Sequence, residues 1–426
     1  MKKVFLLLGI CALGSTTQAQ LFDRIKNKVQ QKVNDKIDQT IDKATTPKKK
    51  DDQGNTGNNN TGNTADNNNT AAANNSAPSA STDIKAYSRF DFVPGEKIIV
   101  QENFAQDVIG EFPGQWNTRS GAELVTVSNR PGKWLAIKQD GIFYPEYITN
   151  KLPDNFTLQV DLMASNGIAG IGAITVGLIK ASDTDEKFHY GDGSAASNPS
   201  FKVTFSPKSS GEGTFRYSSN LIGDHSISGT PYFNVPKKNY VRLSIWRQKQ
   251  RVRVYVDSTK ILDLPRALDA DGGLNALVFS SYAPDYDKTD GVFYISNINL
   301  AVGAPDTRNK LITEGKFTTH GILFDTNSDH IKAESYGALK DIASVLSENA
   351  AVKVKIIGHT DADGNDKLNL DLSKRRAEAV KAALNKTFGI DVARMETDGK
   401  GKTQPIDNNT SEVGKANNRR VEFIKL

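Results

Sequence analysis

The chain is 426 residues long, with 37% apolar residues, 24% charged residues and a mean hydropathy of −0.47, which excludes a helical membrane bundle and points to two or three domains. Its net charge of +5 divides into +2 over residues 1–20, +5 over 21–50, −5 over 51–307 and +3 over 308–426. No folded stretch carries the concentrated basic footprint of a nucleic-acid binder.

Lys2 and Lys3, an apolar run over 4–13 and small or polar residues up to Ala19 form a secretory signal over 1–19, with cleavage expected before Gln20. The single cysteine, Cys11, lies inside that segment behind Ile10, where a lipoprotein signal carries a small residue. The mature chain then has no thiol for a disulfide, a metal or a nucleophile. No apolar run of about 18 residues follows, so no transmembrane helix is expected. Over 20–44, Phe22, Ile25, Val29, Val33, Ile37 and Ile41 recur every three or four residues. This predicts an amphipathic helix that self-associates or packs on another surface, in preference to lying on a membrane through Lys26, Lys28, Lys32 and Lys36. Residues 45–83 are rich in Asn, Thr, Ala, Gly and Ser. They cannot bury enough apolar surface to fold, and predict a disordered, low-complexity linker spanning roughly 30–37 Å.

From 84 to 302 short alternating segments take over, and 133–138, 156–162, 201–205, 240–246 and 251–257 read as strands. In the last of these Val252, Val254 and Val256 face a core, while Arg253 and Tyr255 face water. The pattern predicts an all-β antiparallel sandwich of the jelly-roll kind. The stretch YVRLSIWRQKQRVRVYVDSTKILDL with its closing GVFYISNINLA resembles the last strands of concanavalin-type (laminin-G-like) domains. An eight-stranded outer-membrane barrel is the alternative, although its strands need about 9–11 alternating residues.

Glycan-cleaving relatives of such sandwiches need two carboxylates roughly 5–5.5 Å apart, and the central strand offers only Asp161. The acids over 183–186, near His189, read as solvated loop charges. The Asp and Gly residues over 269–273 and 285–291 suit turns as well as calcium and complete no EF-hand loop, so no metal or cofactor is expected. Trp116, Tyr144, Tyr147, Tyr190, Tyr282 and Tyr286 would bind sugars only where exposed. A glycan-binding or glycan-processing sandwich is therefore a minority reading, with glycans or envelope proteins as its partners.

Beyond 308 strands and helices alternate. A strand ends in the turn of HGILFDTNSD, helices run over 331–346 and 369–384, and strands over 352–357, 395–398 and 420–424. These predict helices on a mixed sheet. The run GHTDADGNDKLNLDLSKRRAEAVKAAL, with LFDTNSD before it and GKGKTQPI and NNRRVE after it, resembles the OmpA-like peptidoglycan-binding domain. The resemblance implies a βαβαβ-type α/β fold and noncovalent binding of the wall's stem peptide through meso-diaminopimelate. That ligand carries an ammonium and a carboxylate on one carbon, which an aspartate and a planar, permanently charged arginine match. The resemblance assigns Asp361 to the ammonium and Arg376 to the carboxylate, with Thr326, Asn327, Asn369 and Arg419 completing the wall. Asp363 is an additional anion of unassigned effect. The competing structural reading has Asp361 capping a turn and Arg376 pairing with Asp371 or Glu378.

The expectation is a non-enzymatic protein, exported to the periplasm and associated with cell wall and outer membrane. Its C-terminal domain would hold peptidoglycan and anchor the sandwich there.

Overall fold

The computed structural model describes residues 90–426, apart from 129, 166–170, 195, 208–212, 231–238, 285–289 and 304–305. The expected signal segment, amphipathic helix and linker lie outside the described residues.

The first part of the described chain is built of antiparallel strands. They begin with β1 (Lys97–Glu102), β2 (Trp116–Thr118), β3 (Ala122–Val127), β4 (Arg130–Ile137) and β5 (Gly141–Pro145). Next come β6 (Asn155–Ala164), β7 (Ala173–Ile179), the short helix α1 (Thr184–Tyr190), β8 (Ser200–Ser206), β9 (Gly213–Ser219) and β10 (Gly223–Thr230). The set closes with β11 (Tyr240–Gln248), β12 (Arg251–Val256), β13 (Thr259–Leu264), β14 (Ala276–Tyr282) and β15 (Phe293–Val302). One sheet runs β13-β12-β11-β6-β15-β4-β3, with β1 also paired to β15, and the other runs β10-β9-β8-β7-β14-β5-β2. Leu158, Val160 and Leu162 of the first sheet share one apolar core with Val176, Leu178, Val203 and Phe205 of the second. The two sheets are therefore stacked layers held by burial. They are not one closed sheet, which corrects the barrel alternative.

Val252, Val254 and Val256 face the core as their alternation predicts. The opposite face of β12 is not wet, since Tyr255 is fully buried and Arg253 largely so. Segment 90–93 and the C-terminal domain cover that face. Phe90, Phe92 and Val93 pack with Trp246 and Tyr255 on one side and with Tyr336 and Phe388 on the other. The acids near 183 are solvated as expected, but they stand at the start of a helix and not in a loop. Asp183 accepts the Glu186 N–H at 2.8 Å and Glu186 accepts the Ser182 N–H at 2.6 Å, a reciprocal cap at the start of α1.

The C-terminal part contains β16 (Lys316–Thr319), α2 (Tyr336–Glu348), β17 (Val354–His359), α3 (Asp366–Phe388), β18 (Met395–Gly401), α4 (Glu412–Asn418) and β19 (Val421–Lys425). The sheet order is β16-β19-β17-β18, with only β17 and β18 parallel. The expected strand in HGILFDTNSD is reduced to a single bridge between Phe324 and Ile331, and the regular first strand is β16. Residues 320–324 are left free to border a cavity.

The two parts touch along β1 and α4. The Asn417 side-chain amide donates to Ile98 O and accepts from Ile98 N, both at 3.0 Å, and Asn103 donates to Glu412 at 3.0 Å. Lys310 pairs with Glu96.

Candidate functional site at the joint of sandwich and C-terminal domain

The site is set by how closely α3 lies on β17. A Cβ on Gly358 would stand 2.2 Å from the Ser373 carbonyl oxygen, so only glycine lets the helix rest on this strand. Helix α3 is started by Asn365, whose Oδ1 accepts from the N–H groups of Lys367 and Leu368. Arg376 lies in the middle of this helix, beside the turn after Phe324.

There its Nε donates to Ser328 O at 2.9 Å, one terminal nitrogen reaches Asp325 O at 3.4 Å, and the guanidinium lies 4.8 Å from the centre of the Phe324 ring. Among the described residues Arg376 pairs with no carboxylate. The pairing with Asp371 belongs to its neighbour Arg375, at 2.9 Å, and Glu378 is bonded to Thr397. Burial first, then the charges of Arg375 and Arg419, pull the Arg376 pKa down to about 10. Its cation is thus held in a place that favours an incoming anion.

Asp361 follows β17. Its Oδ2 accepts from Arg419 at 2.6 Å and its Oδ1 from the Asp363 N–H at 3.1 Å. The turn-capping contact expected of a structural aspartate is present, together with an ion pair. Asp363 is drawn outward to Lys415 at 3.0 Å. Asn369 is 8% exposed and donates to Asp363 O at 2.8 Å, so it braces the 361–365 loop and does not line the cavity. Thr326 and Asn327 sit exposed on the turn that Arg376 clamps, with Asn327 at a φ of 57°, and they too stay outside the cavity lining. Of the six expected residues, Arg376 and Arg419 border the cavity, and Asp361 is joined to it through Arg419.

The cavity has a volume of about 190 Å³ and opens to solvent. The sequence reading missed two groups in its lining. His359, in the quoted GHTD run, is 2% exposed, with Nδ1 unpartnered among the described residues and Nε2 3.7 Å from the Glu422 carboxylate. Arg420 is fixed by Glu422, which accepts from its Nε at 2.9 Å and lies 2.7 Å from a terminal nitrogen. Burial raises the Glu422 pKa, but His359, Lys316 and Arg420 lower it further, and the carboxylate ends well below its usual range.

Residues 323–419 match the family model described as the OmpA family. The C-terminal domain is an OmpA-family domain. The chain is 41% identical across 104 residues to the "Probable lipoprotein YiaD" of Escherichia coli, covering 24% of this chain and 47% of that protein. It is 38% identical across 103 residues to the outer-membrane lipoprotein YfiB of Pseudomonas aeruginosa, covering 24% and 61%. The chain thus spans less than two thirds of either relative. The crystal structure of the peptidoglycan-associated lipoprotein from Burkholderia pseudomallei is similar over 28% of this chain and 98% of that one, at 28% identity and a TM-score of 0.25.

On the sandwich itself, Trp116 and Tyr144 are buried, and Tyr282 is 68% exposed. Tyr286 lies outside the described residues. Asp161 is buried and held bidentately by Arg242 at 2.6 and 2.9 Å, with Asn297 donating at 2.9 Å. Such an aspartate holds strands together and faces no open cleft. No group of three or more metal-binding side chains occurs among the described residues.

Proposed function

We propose that this is a non-enzymatic envelope protein that holds peptidoglycan noncovalently through its OmpA-family domain, with diaminopimelate of the stem peptide gripped between Asp361 and Arg376. The observation that carries the reading is Arg376. It is a half-buried guanidinium fixed by backbone carbonyls and an aromatic ring, paired with no carboxylate among the described residues, and placed at the rim of a cavity. A ligand carboxylate would supply the missing anion bidentately. Asp361 fits the ammonium even while bonded to Arg419. An ionised carboxylate has about four acceptor sites, and the contacts to Arg419 and the Asp363 N–H use two of them. Asn369 acts by fixing the loop that carries Asp361, and Thr326 and Asn327 by shaping the turn under Arg376.

In this reading the protein is exported to the periplasm and lies at the cell wall and outer membrane. The sandwich, of jelly-roll and concanavalin-like kind, is carried as a binding or spacing module and not as a catalyst. Relatives named as outer-membrane and peptidoglycan-associated lipoproteins support the envelope setting.

The test is sedimentation of the purified protein with diaminopimelate-containing wall sacculi. Wild type is expected in the pellet, and Arg376→Ala and Asp361→Ala each in the supernatant with unchanged circular dichroism. Retention of a folded double variant on the sacculi would overturn the assignment.

A further inference from the structure

The cavity at Arg376 is not closed by the OmpA-family domain alone. Its opposite wall comes from the sandwich, where Gln101 on β1, Gln159 on β6 and Asn299 on β15 line the same cavity as Arg376, Arg419 and Arg420. These residues are brought there by two register relations on one sheet, since β15 pairs with β6 and β1 pairs with β15. Their hydrogen-bonding capacity is only partly used. Asn299 Nδ2 donates to Gln101 Oε1 at 2.8 Å, and Gln159 Nε2 reaches Ser244 Oγ at 3.4 Å. This leaves the Gln101 amide N–H groups and the Asn299 and Gln159 carbonyl oxygens with no partner among the described residues. On the facing wall His359 Nδ1 is buried with no partner among the described residues, while Nε2 faces the Glu422 carboxylate at 3.7 Å. A cavity with arginine donors on one wall and amide donors and acceptors on the other is built for a ligand that itself carries both.

We propose that the sandwich is the second half of the binding site, and that Gln101, Gln159 and Asn299 read the peptide amides adjoining the diaminopimelate held by the OmpA-family domain. The inference rests on the peptidoglycan reading and adds a recognition element to it. A primary amide pairs with a backbone N–H and C=O together, whereas the arginines satisfy only the anionic end of the ligand. The ammonium and carboxylate would then fix the residue, and the sandwich would select for the peptide that bears it. Ligands lacking peptide bonds would not sense the second wall.

The experiment is calorimetric titration of the full mature chain with two probes, free meso-diaminopimelate and a muramyl tripeptide ending in meso-diaminopimelate. The Gln159→Ala/Asn299→Ala double variant is expected to lose about tenfold in affinity for the muramyl tripeptide, in line with two lost hydrogen bonds. Its affinity for free diaminopimelate should stay within twofold, which also shows that the arginine side of the site is intact. Arg376→Ala is expected to lose both probes. If the double variant binds the muramyl tripeptide as wild type does, or loses both probes equally, the two-walled site is overturned while the OmpA-family reading stands. If wild type binds neither probe, the peptidoglycan reading fails and this inference fails with it.

Discussion

A carboxylate taken out of water persists as an anion only where cations and donors replace its hydration, and Glu422 shows what this means for stability. It is 3% exposed, bonded to Arg420 and 2.9 Å from Lys316. Because its folded pKa lies below the ordinary 4.5, its contribution is complete above about pH 4.5 and is lost as the pH falls through the folded value. Glu422→Gln should therefore destabilise the protein by roughly 3–5 kcal/mol at pH 7, the cost of leaving a buried cation unpaired. The gap to wild type should narrow progressively below pH 4.5. Urea unfolding at pH 7, 4 and 3 checks this, and a gap independent of pH would contradict it. The sequence singled out Arg376 and Asp361, the residues of the proposed ligand site, because they stand in a continuous motif series. It did not show that Arg419 already holds Asp361, a contact across 58 positions, or that Arg242 lies across from Asp161 at a separation of 81. Those partners are chosen by strand register, and periodicity carries no information about register between distant strands.

Among the elements, α2 shows how one small residue governs docking. A Cβ on Gly337 would stand 2.1 Å from the Phe92 carbonyl oxygen, so the helix meets the leading segment backbone to backbone. Gly337→Ala should push the two apart at a cost of about 1–3 kcal/mol, as overpacking does. Hydrogen exchange over 90–98 should accelerate while exchange in β6 and β11 stays unchanged. Equal protection in variant and wild type would show that the helix does not clamp this segment. Apolar spacing revealed α2 and α3 as helices, and period-two alternation revealed β11 and β12 as strands, with the core face of β12 correctly placed on Val252, Val254 and Val256. It mistook the second face of β12 for a wet surface, because alternation reports that Tyr255 differs from its neighbours without saying what covers it. An Asp91 carboxylate accepting from the Tyr255 hydroxyl at 3.0 Å and from Lys260 at 3.0 Å lies over 160 residues away in sequence. The short helix α1 escaped notice for the opposite reason, its seven residues being fewer than a helical stripe needs.

At the scale of the whole molecule, the sandwich and the OmpA-family domain are joined by an aromatic wedge. Phe92 meets Trp246 edge-on at 6.2 Å and Tyr255 at 5.3 Å, with Tyr336 and Phe388 closing the cluster. Phe92→Ala should cost about 3–5 kcal/mol, the usual range for a buried phenylalanine, and this loss falls on the joint. Calorimetry should then resolve two thermal transitions where wild type shows one, and small-angle scattering should record a larger radius of gyration. An unchanged radius and a single transition would mean that the wedge does not unite the two parts. The same joint that completes the cavity has a second role, carried by Asn417. With one amide donating and accepting to the backbone of Ile98, this side chain imitates a neighbouring strand at the outer edge of β1. An open edge is a template for pairing with other chains. The OmpA-family domain therefore also serves as a stopper at Ile98, and a molecule whose halves part company would expose one further strand edge to other chains.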